Sequence, residues 1–308
     1  MKQKEVNIPP GLVHPVSING LNGRFLKIPN KDKKLNILVV YGHHSSLERM
    51  FGIAENIADY GTVVMPDLPG FGGMDSFYTL GKKPTLDDYA DYLATFIKLK
   101  FRGEQISILG MSFGFVVTLR MLQKYPDMLR RVNLLVSLVG FSDKSDFKLS
   151  GKNQFLLKLM SRIFSRKSMA FLFRYIGLNK LVISLAYRIN AKSHPKMKDA
   201  DKKELKRRIK FEVYLWQIND VRSYMATMLM MFTLKQEPIK LPIDLFLVSV
   251  ANDQYFDEKM VVSNFKKIFK KVVKTKINLK NHAPTVIGNK QDSAIFIPNR
   301  IRKELENR

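Results

Sequence analysis

Ile106-Ser107-Ile108-Leu109-Gly110-Met111-Ser112-Phe113-Gly114-Phe115 is the stretch on which the reading of this chain turns. Ile106 to Leu109 is a short apolar run that predicts a buried strand, and Phe113 to Lys124 predicts a helix ended by Tyr125-Pro126. Between them, Gly110-Met111-Ser112-Phe113-Gly114 spells G-x-S-x-G. A serine in that place sits on a tight strand-to-helix turn, where the glycines relieve crowding and the hydroxyl projects above the sheet. The N–H groups that open the helix then face any negative charge developing beside it. Ser112 is therefore the candidate nucleophile.

Working outward, the same alternation of strand and helix continues in both directions. Toward the N-terminus, Thr62 to Met65 and Ile37 to Tyr41 read as buried strands, separated by a helix over residues 46 to 59 and followed by another over 85 to 99. Before them, Leu12 to Ile18 and Gly23 to Ile28 alternate as a hairpin turning at Asn19-Gly20-Leu21-Asn22. Toward the C-terminus, Val132 to Val139 is a strand, after which the alternation stops. Residues 141 to 240 read instead as several helices rich in Phe, Leu, Met, Lys and Arg. The pattern then resumes with a strand over Ile243 to Val250, a helix over Glu258 to Lys270, a strand over Val272 to Leu279 and a last helix near Asn299 to Leu305. These elements predict an α/β protein: a mostly parallel sheet with helices on both faces and one helical insertion.

Composition agrees with a folded chain. At 308 residues and 45% hydrophobic, it fits one large α/β domain carrying an inserted subdomain, or two ordinary domains. With no cysteine, disulfides, thiolate ligands and a cysteine nucleophile are excluded. The first residues, Met1-Lys2-Gln3-Lys4-Glu5-Val6-Asn7, lack the apolar core of a secretory signal, so a cytoplasmic location is the expectation. The net charge of +25 raises the question of a polyanion partner. Lysine is scattered through every segment and no nucleic-acid module is present, so solvated surface charge is the first reading and no specific nucleic acid is expected.

On the serine pentapeptide in its strand and helix context, and on Pro66-Asp67-Leu68-Pro69-Gly70-Phe71-Gly72, the sequence resembles the α/β-hydrolase superfamily. The likeness is specifically to its single-domain members with a helical cap, such as ester, lipid and carbon–carbon bond hydrolases. The resemblance implies an eight-stranded core built from residues 1–140 and 241–308 and a cap over 141–240. Related dehalogenases and epoxide hydrolases place aspartate where Ser112 stands, which argues against both chemistries. The family order of serine, acid, histidine assigns the base to His282, just after the last predicted strand, and the acid to Asp253, which follows the resumed strand. Asp257 and Asp143 are alternatives for the acid, the former more simply a helix N-cap. His14 and His194 read as ordinary surface residues.

The resemblance also implies an oxyanion hole made by the backbone N–H groups of Phe113 and His43. Relatives carry a His-Gly pair in the loop after the third strand; here Tyr41 replaces that histidine, and His43-His44 follow Gly42. The His pair offers little as a metal site, because neighbouring side chains diverge and no carboxylate cluster lies nearby in sequence. His44, Ser45 and Met111 are candidate substrate contacts. The apolar stripes of the insertion, including Phe155-Leu156-Leu157, Met169 to Phe173 and Tyr224 to Phe232, either bury its helices against each other or line an acyl pocket. Basic residues among them allow peripheral contact with an anionic membrane. The expectation is a cofactor-free serine hydrolase acting on a small-molecule ester or lactone. A carbon–carbon hydrolase or peptidase with the same machinery, or a ligand-binding member without turnover, are the alternatives.

Overall fold

Eight strands, β1 (Val13–Ile18), β2 (Leu21–Ile28), β3 (Asn36–Val40), β4 (Thr62–Pro66), β5 (Ile106–Met111), β6 (Val132–Leu138), β7 (Leu241–Val250) and β8 (Phe269–Ile277), form one sheet in a computed structural model. The structure describes residues 8–192, 197, 200–235, 237, 239–278 and 290–308. The strand order is β1-β2-β4-β3-β5-β6-β7-β8, with β2 antiparallel to both neighbours and every other pairing parallel. β3 to β6 are buried on both faces, which is why they read as unbroken apolar runs.

Several boundaries differ from the sequence reading. Asn19 and Gly20 both adopt positive φ, at 50° and 82°. Two such residues make a type I′ turn, so the hairpin closes in two residues and β2 starts at Leu21. At the other edge, the helix before β8 ends at Ile268, and Phe269 pairs at once with Leu241. Helix and strand share a boundary with no turn residue to mark it. β8 buries Phe269, Val273 and Ile277 and shows four lysines between them, the pattern of a protected edge strand.

Helix α1 (Leu47–Ile57) joins β3 to β4, and α2 (Leu86–Phe101) carries the chain back past β3 to β5. Thr85 and Asp88 close a reciprocal capping box that fixes the start of α2. α3 (Phe113–Lys124) and the short α4 (Pro126–Leu129) lead on to β6. The strand order therefore reverses between β3 and β5, and open α/β sheets bind ligands at the carboxyl ends of strands beside such a reversal.

Five helices, α5 (Gly151–Phe164), α6 (Lys167–Leu172), α7 (Lys180–Ile189), α8 (Lys202–Ile218) and α9 (Val221–Thr233), lie between β6 and β7. They share a small core of their own, in which Ala170, Leu178 and Ile183 meet Ile209, Val213 and Met225. The C-terminal part adds α10 (Glu258–Ile268), α11 (Lys290–Ser293) and α12 (Asn299–Glu306). Phe115 of α3 meets Phe265 of α10 edge-on at 5.3 Å, whereas Arg302 of α12 reaches Asn56 of α1, so helices cover both faces of the sheet. Among the described residues, no single helix is long and apolar enough to cross a membrane.

Candidate active site

Ser112 sits at φ 49° and ψ −120°, between the end of β5 and the first residue of α3. Such a conformation costs a side-chain-bearing residue about 1–3 kcal/mol, and persists only where its surroundings over-determine it. Here they do. The Ser112 N–H donates to Leu138 O at 2.9 Å, and its carbonyl accepts from Phe115 N at 3.0 Å and Val116 N at 3.3 Å. The two glycines of the pentapeptide have separate reasons: a Cβ at Gly110 would lie 2.7 Å from the Phe115 backbone, and one at Gly114 would lie 2.3 Å from the carbonyl oxygens of Val40 and Tyr41. Phe113 opens α3, so its N–H is one of the amides that no helix can satisfy from within.

The loop after β3 passes directly over this turn. A Cβ at Gly42 would stand 3.0 Å from the Ser112 Cβ and 3.7 Å from Phe113 N. Glycine there lets the next peptide, that of His43, approach the same space. The loop is braced from below by Tyr41 and Asp67, both fully buried. The Tyr41 hydroxyl donates to Asp67 Oδ1 at 2.7 Å and accepts from Leu68 N at 2.9 Å. Asp67 also accepts from Leu47 N at 3.2 Å, Gly73 N at 2.7 Å and Arg24 Nε at 2.7 Å. Burial and the Asp67 charge push the Tyr41 phenol well above its usual range, so it stays a neutral donor. The tyrosine that departs from the family pattern thus ties the loops after β3 and β4 together. Tyr41→Phe should cost about 1–3 kcal/mol, because it leaves the Leu68 amide and an Asp67 oxygen without their buried partner. Urea unfolding is the measurement, and a loss below about 0.5 kcal/mol, the scatter of ordinary surface changes, would sink the brace.

His43 and His44 diverge. The His43 ring packs 4.3 Å from Tyr224, 5.6 Å from Phe71 and 6.4 Å from Phe113, and its Nε2 lies 3.1 Å from Tyr224 O. It thus joins an aromatic cluster that includes Phe113, the residue after Ser112. His44, at φ 51°, shares Tyr224 with His43 at 5.1 Å and reaches deeper into the joint with the insertion. Its ring lies 4.4 Å from Trp216, with Nδ1 3.2 Å from the Asn219 side chain and Nε2 3.5 Å from Glu212. Expected above as a substrate contact, His44 is committed to this buried joint instead. Met111 is likewise buried in the main core. Ser45, also buried, lies in the same loop between His44 and α1.

Sequence reasoning missed the centre of that joint. Glu212 of α8 is fully buried and pairs with Arg49 of α1, 4% exposed, while Tyr187 donates to its other oxygen at 3.1 Å. Arg49 also donates to the His44 carbonyl at 2.9 Å, so the ion pair holds the loop that follows the His43 amide. One signal was available. Leu205, Ile209, Val213 and Trp216 mark the inner stripe of α8, and Glu212 falls on that stripe. Gly72 N to Asn219 Oδ1 at 2.9 Å and Asp220 N to Gly70 O at 2.9 Å add further bonds between the insertion and the loop after β4.

Among the candidate acids, Asp143 caps a single 3₁₀ turn and Asp257 caps α10, each through Oδ1. Asp253 stands just past the carboxyl end of β7, two strands from Ser112. Its Oδ1 accepts from Tyr255 N at 2.8 Å and Phe256 N at 3.2 Å, which fixes the carboxylate in a tight turn. His282 and His194 lie outside the described residues. His14 sits in β1 with its ring 5.4 Å from Phe25, far along the sheet from Ser112. Among the described residues, no cluster of three potential metal ligands occurs.

Glu258 fastens the start of α10 to the edge of the sheet. It accepts from the Ser249 hydroxyl at 2.7 Å and pairs with Lys276 at 3.1 Å and Lys274 at 3.3 Å. The Ser249 hydrogen bond and then the two lysines hold its carboxyl at about 2, below the ordinary 4.5. A carboxyl lowered by folding stabilises the protein above its unfolded value and loses that contribution as pH falls toward the folded one. Glu258→Gln should therefore cost up to about 1 kcal/mol at neutral pH, a difference that closes as pH drops from about 5 to about 2. Urea midpoints across that range test it, and a difference independent of pH refutes it.

A mostly parallel sheet with a strained serine between β5 and α3, over which a glycine loop crosses, has the architecture of an α/β hydrolase. The family model described as Serine aminopeptidase, S33, matches residues 31–282, and the chain belongs to that family of hydrolases. No curated protein matches the sequence. Among solved structures, the chain is similar to a thermophilic esterase from Thermogutta terrifontis at 16% identity and TM-score 0.61, over 95% of this chain and 96% of that one. An α/β hydrolase from a Medee basin deep-sea metagenome library gives 15% identity and TM-score 0.65, over 92% and 96%. A meta-cleavage product hydrolase from Pseudomonas fluorescens gives 12% and 0.62, over 96% and 97%. At these identities the likeness is one of fold.

Proposed function

We propose that this hydrolase is a carboxylic-ester hydrolase that works through an acyl-enzyme, with an apolar acyl group as its preferred substrate part. The observation that carries the reading is the strained Ser112 with the Phe113 amide beside it and the Gly42-His43 peptide crossing above. In this scheme the Ser112 oxygen attacks the ester carbonyl carbon while His282 takes the hydroxyl proton and Asp253 orients His282. The N–H groups of Phe113 and His43 bind the oxyanion of the tetrahedral intermediate. Collapse breaks the carbon–oxygen bond, and His282 returns the proton to the departing alcohol. Water then attacks the acyl-serine by the same route in reverse, which needs no cofactor.

The aromatic surroundings of His43 favour an apolar acyl part over a charged one, and the insertion covers them as a cap. A chain-length series of p-nitrophenyl esters, with a lactone and an aminoacyl anilide included, tests the substrate class. Turnover that rises with acyl length supports the proposal; turnover confined to the anilide overturns it. Labelling by a fluorophosphonate probe provides the independent check, with the adduct expected on Ser112.

A further inference from the structure

The outer side of the insertion carries a surface that ester hydrolysis does not use. α6 continues through a π-helical turn (Phe173–Gly177), and α7 follows at an angle of 72°. The inner sides of these helices supply Ala170, Leu178 and Ile183 to the insertion's core. Their outer sides are apolar as well. Leu181 and Ile189 are 82% and 72% exposed, Leu185 lies between them at helical spacing, and Phe171, Tyr175 and Ile176 extend the surface across the bend. Phe155 and Leu156 of α5 are exposed too.

Charge is distributed around this face rather than on it. Between Ser168 and Tyr187 the only charged residues are Arg174 and Lys180. The Arg174 guanidinium turns inward and donates to the carbonyls of Trp216, Gln217 and Asn219 at the end of α8. Residues 147 to 198 contain twelve Lys and Arg and no Asp or Glu, although the chain holds 27 acidic residues. Arg162, Arg166, Lys167 and Arg188 flank the apolar face and are exposed.

We propose that this face docks on a bilayer containing anionic lipid. Both arms keep their inner sides packed in the insertion's core and bend by 72° about the turn between them, so the pair offers a face to lie on a surface. An apolar face that enters the headgroup boundary, ringed by cations each worth about 1 kcal/mol near an anionic surface, meets the two requirements of stable peripheral binding. A second copy of the chain is the poorer occupant, because it would bring an identical acid-free rim and another net charge of +25 against the first.

Co-sedimentation of the full chain with vesicles of phosphatidylcholine, and of phosphatidylcholine mixed with phosphatidylglycerol, tests the proposal. The intact protein should sediment with the mixed vesicles. Leu181→Glu combined with Ile189→Glu should weaken that binding by about tenfold or more, a loss near 1.4 kcal/mol. Lys33→Ser with Lys34→Ser changes the net charge by the same amount at an exposed site on the sheet's far end and should leave binding within about twofold. Turnover of a soluble short-chain ester should be unchanged in both variants. Equal binding to both vesicle types, retained binding in the double glutamate variant, or an equal loss in the lysine control overturns the proposal. So does a stable dimer in solution that the glutamates dissociate. Leu181→Ser with Ile189→Ser provides a charge-neutral second variant with the same expected direction.

Discussion

Replacing Ser112 by alanine is expected to lower ester turnover by about four to six orders of magnitude, the range found when a triad nucleophile is removed and only binding and oxyanion stabilisation remain. Stability should hardly change, since alanine keeps the Cβ, the backbone bond donated to Leu138 and those accepted from Phe115 and Val116. Ser112→Gly separates function from strain further. Glycine adopts the φ of 49° without the usual penalty, so this variant should be equally inactive yet more stable by about 1 kcal/mol, raising the thermal midpoint by about 1–2 °C. Residual turnover within a few-fold of the parent in either variant would falsify the assignment of Ser112. An inactive but destabilised glycine variant would show that the backbone is not strained there.

Glu212→Ala is expected to be the most damaging single change outside the nucleophile. Breaking a buried ion pair from one side leaves the other charge without compensation, which costs about 3–5 kcal/mol. Here the orphan is Arg49, which also holds the His44 carbonyl. Replacing both partners, as Arg49→Met with Glu212→Leu, should recover most of the loss, because the desolvation cost of the pair disappears together with its attraction. Trp216 reports on the event directly. It is the only tryptophan of the chain and packs against His44 and Tyr224, so Glu212→Ala should shift its emission to longer wavelength at a denaturant concentration where the sheet is intact. A loss under about 1 kcal/mol, the value of an exposed pair, would mean that water reaches the joint.

The difference between what these two sites revealed in the sequence has a physical origin. Ser112 was legible because strand, elbow and helix are contiguous, and the local pattern constrains a local conformation. The same holds for the central strands themselves, since buried parallel strands announce themselves as unbroken apolar runs, whereas their order in the sheet had no local signature. The brace of Tyr41 on Asp67 spans 26 positions, and the pair of Arg49 with Glu212 spans 163. No periodicity links such residues; only the crossing of β3 beside β4, and of α8 over α1, brings them together. His44 illustrates the cost of reading by neighbourhood alone, because its ring, although it shares Tyr224 with His43, is also taken up by Trp216, Asn219 and Glu212 of the insertion. The apolar stripes of the insertion divided as well. Ala170 and Met225 went into a core, whereas Phe155 and Phe171 went to the surface.

The Arg49–Glu212 pair also bears on how this enzyme can be recombined. Residues 141 to 240 invite transplantation, because both junctions lie in loops at the ends of β6 and β7. A chimera built at those junctions would carry Glu212 onto a foreign scaffold without its guanidinium, and leave Arg49 behind facing an unrelated helix. Grafts are therefore expected to fail unless α1 travels with the insertion or both charges are removed first. The unit of exchange in this protein is not a continuous stretch of chain.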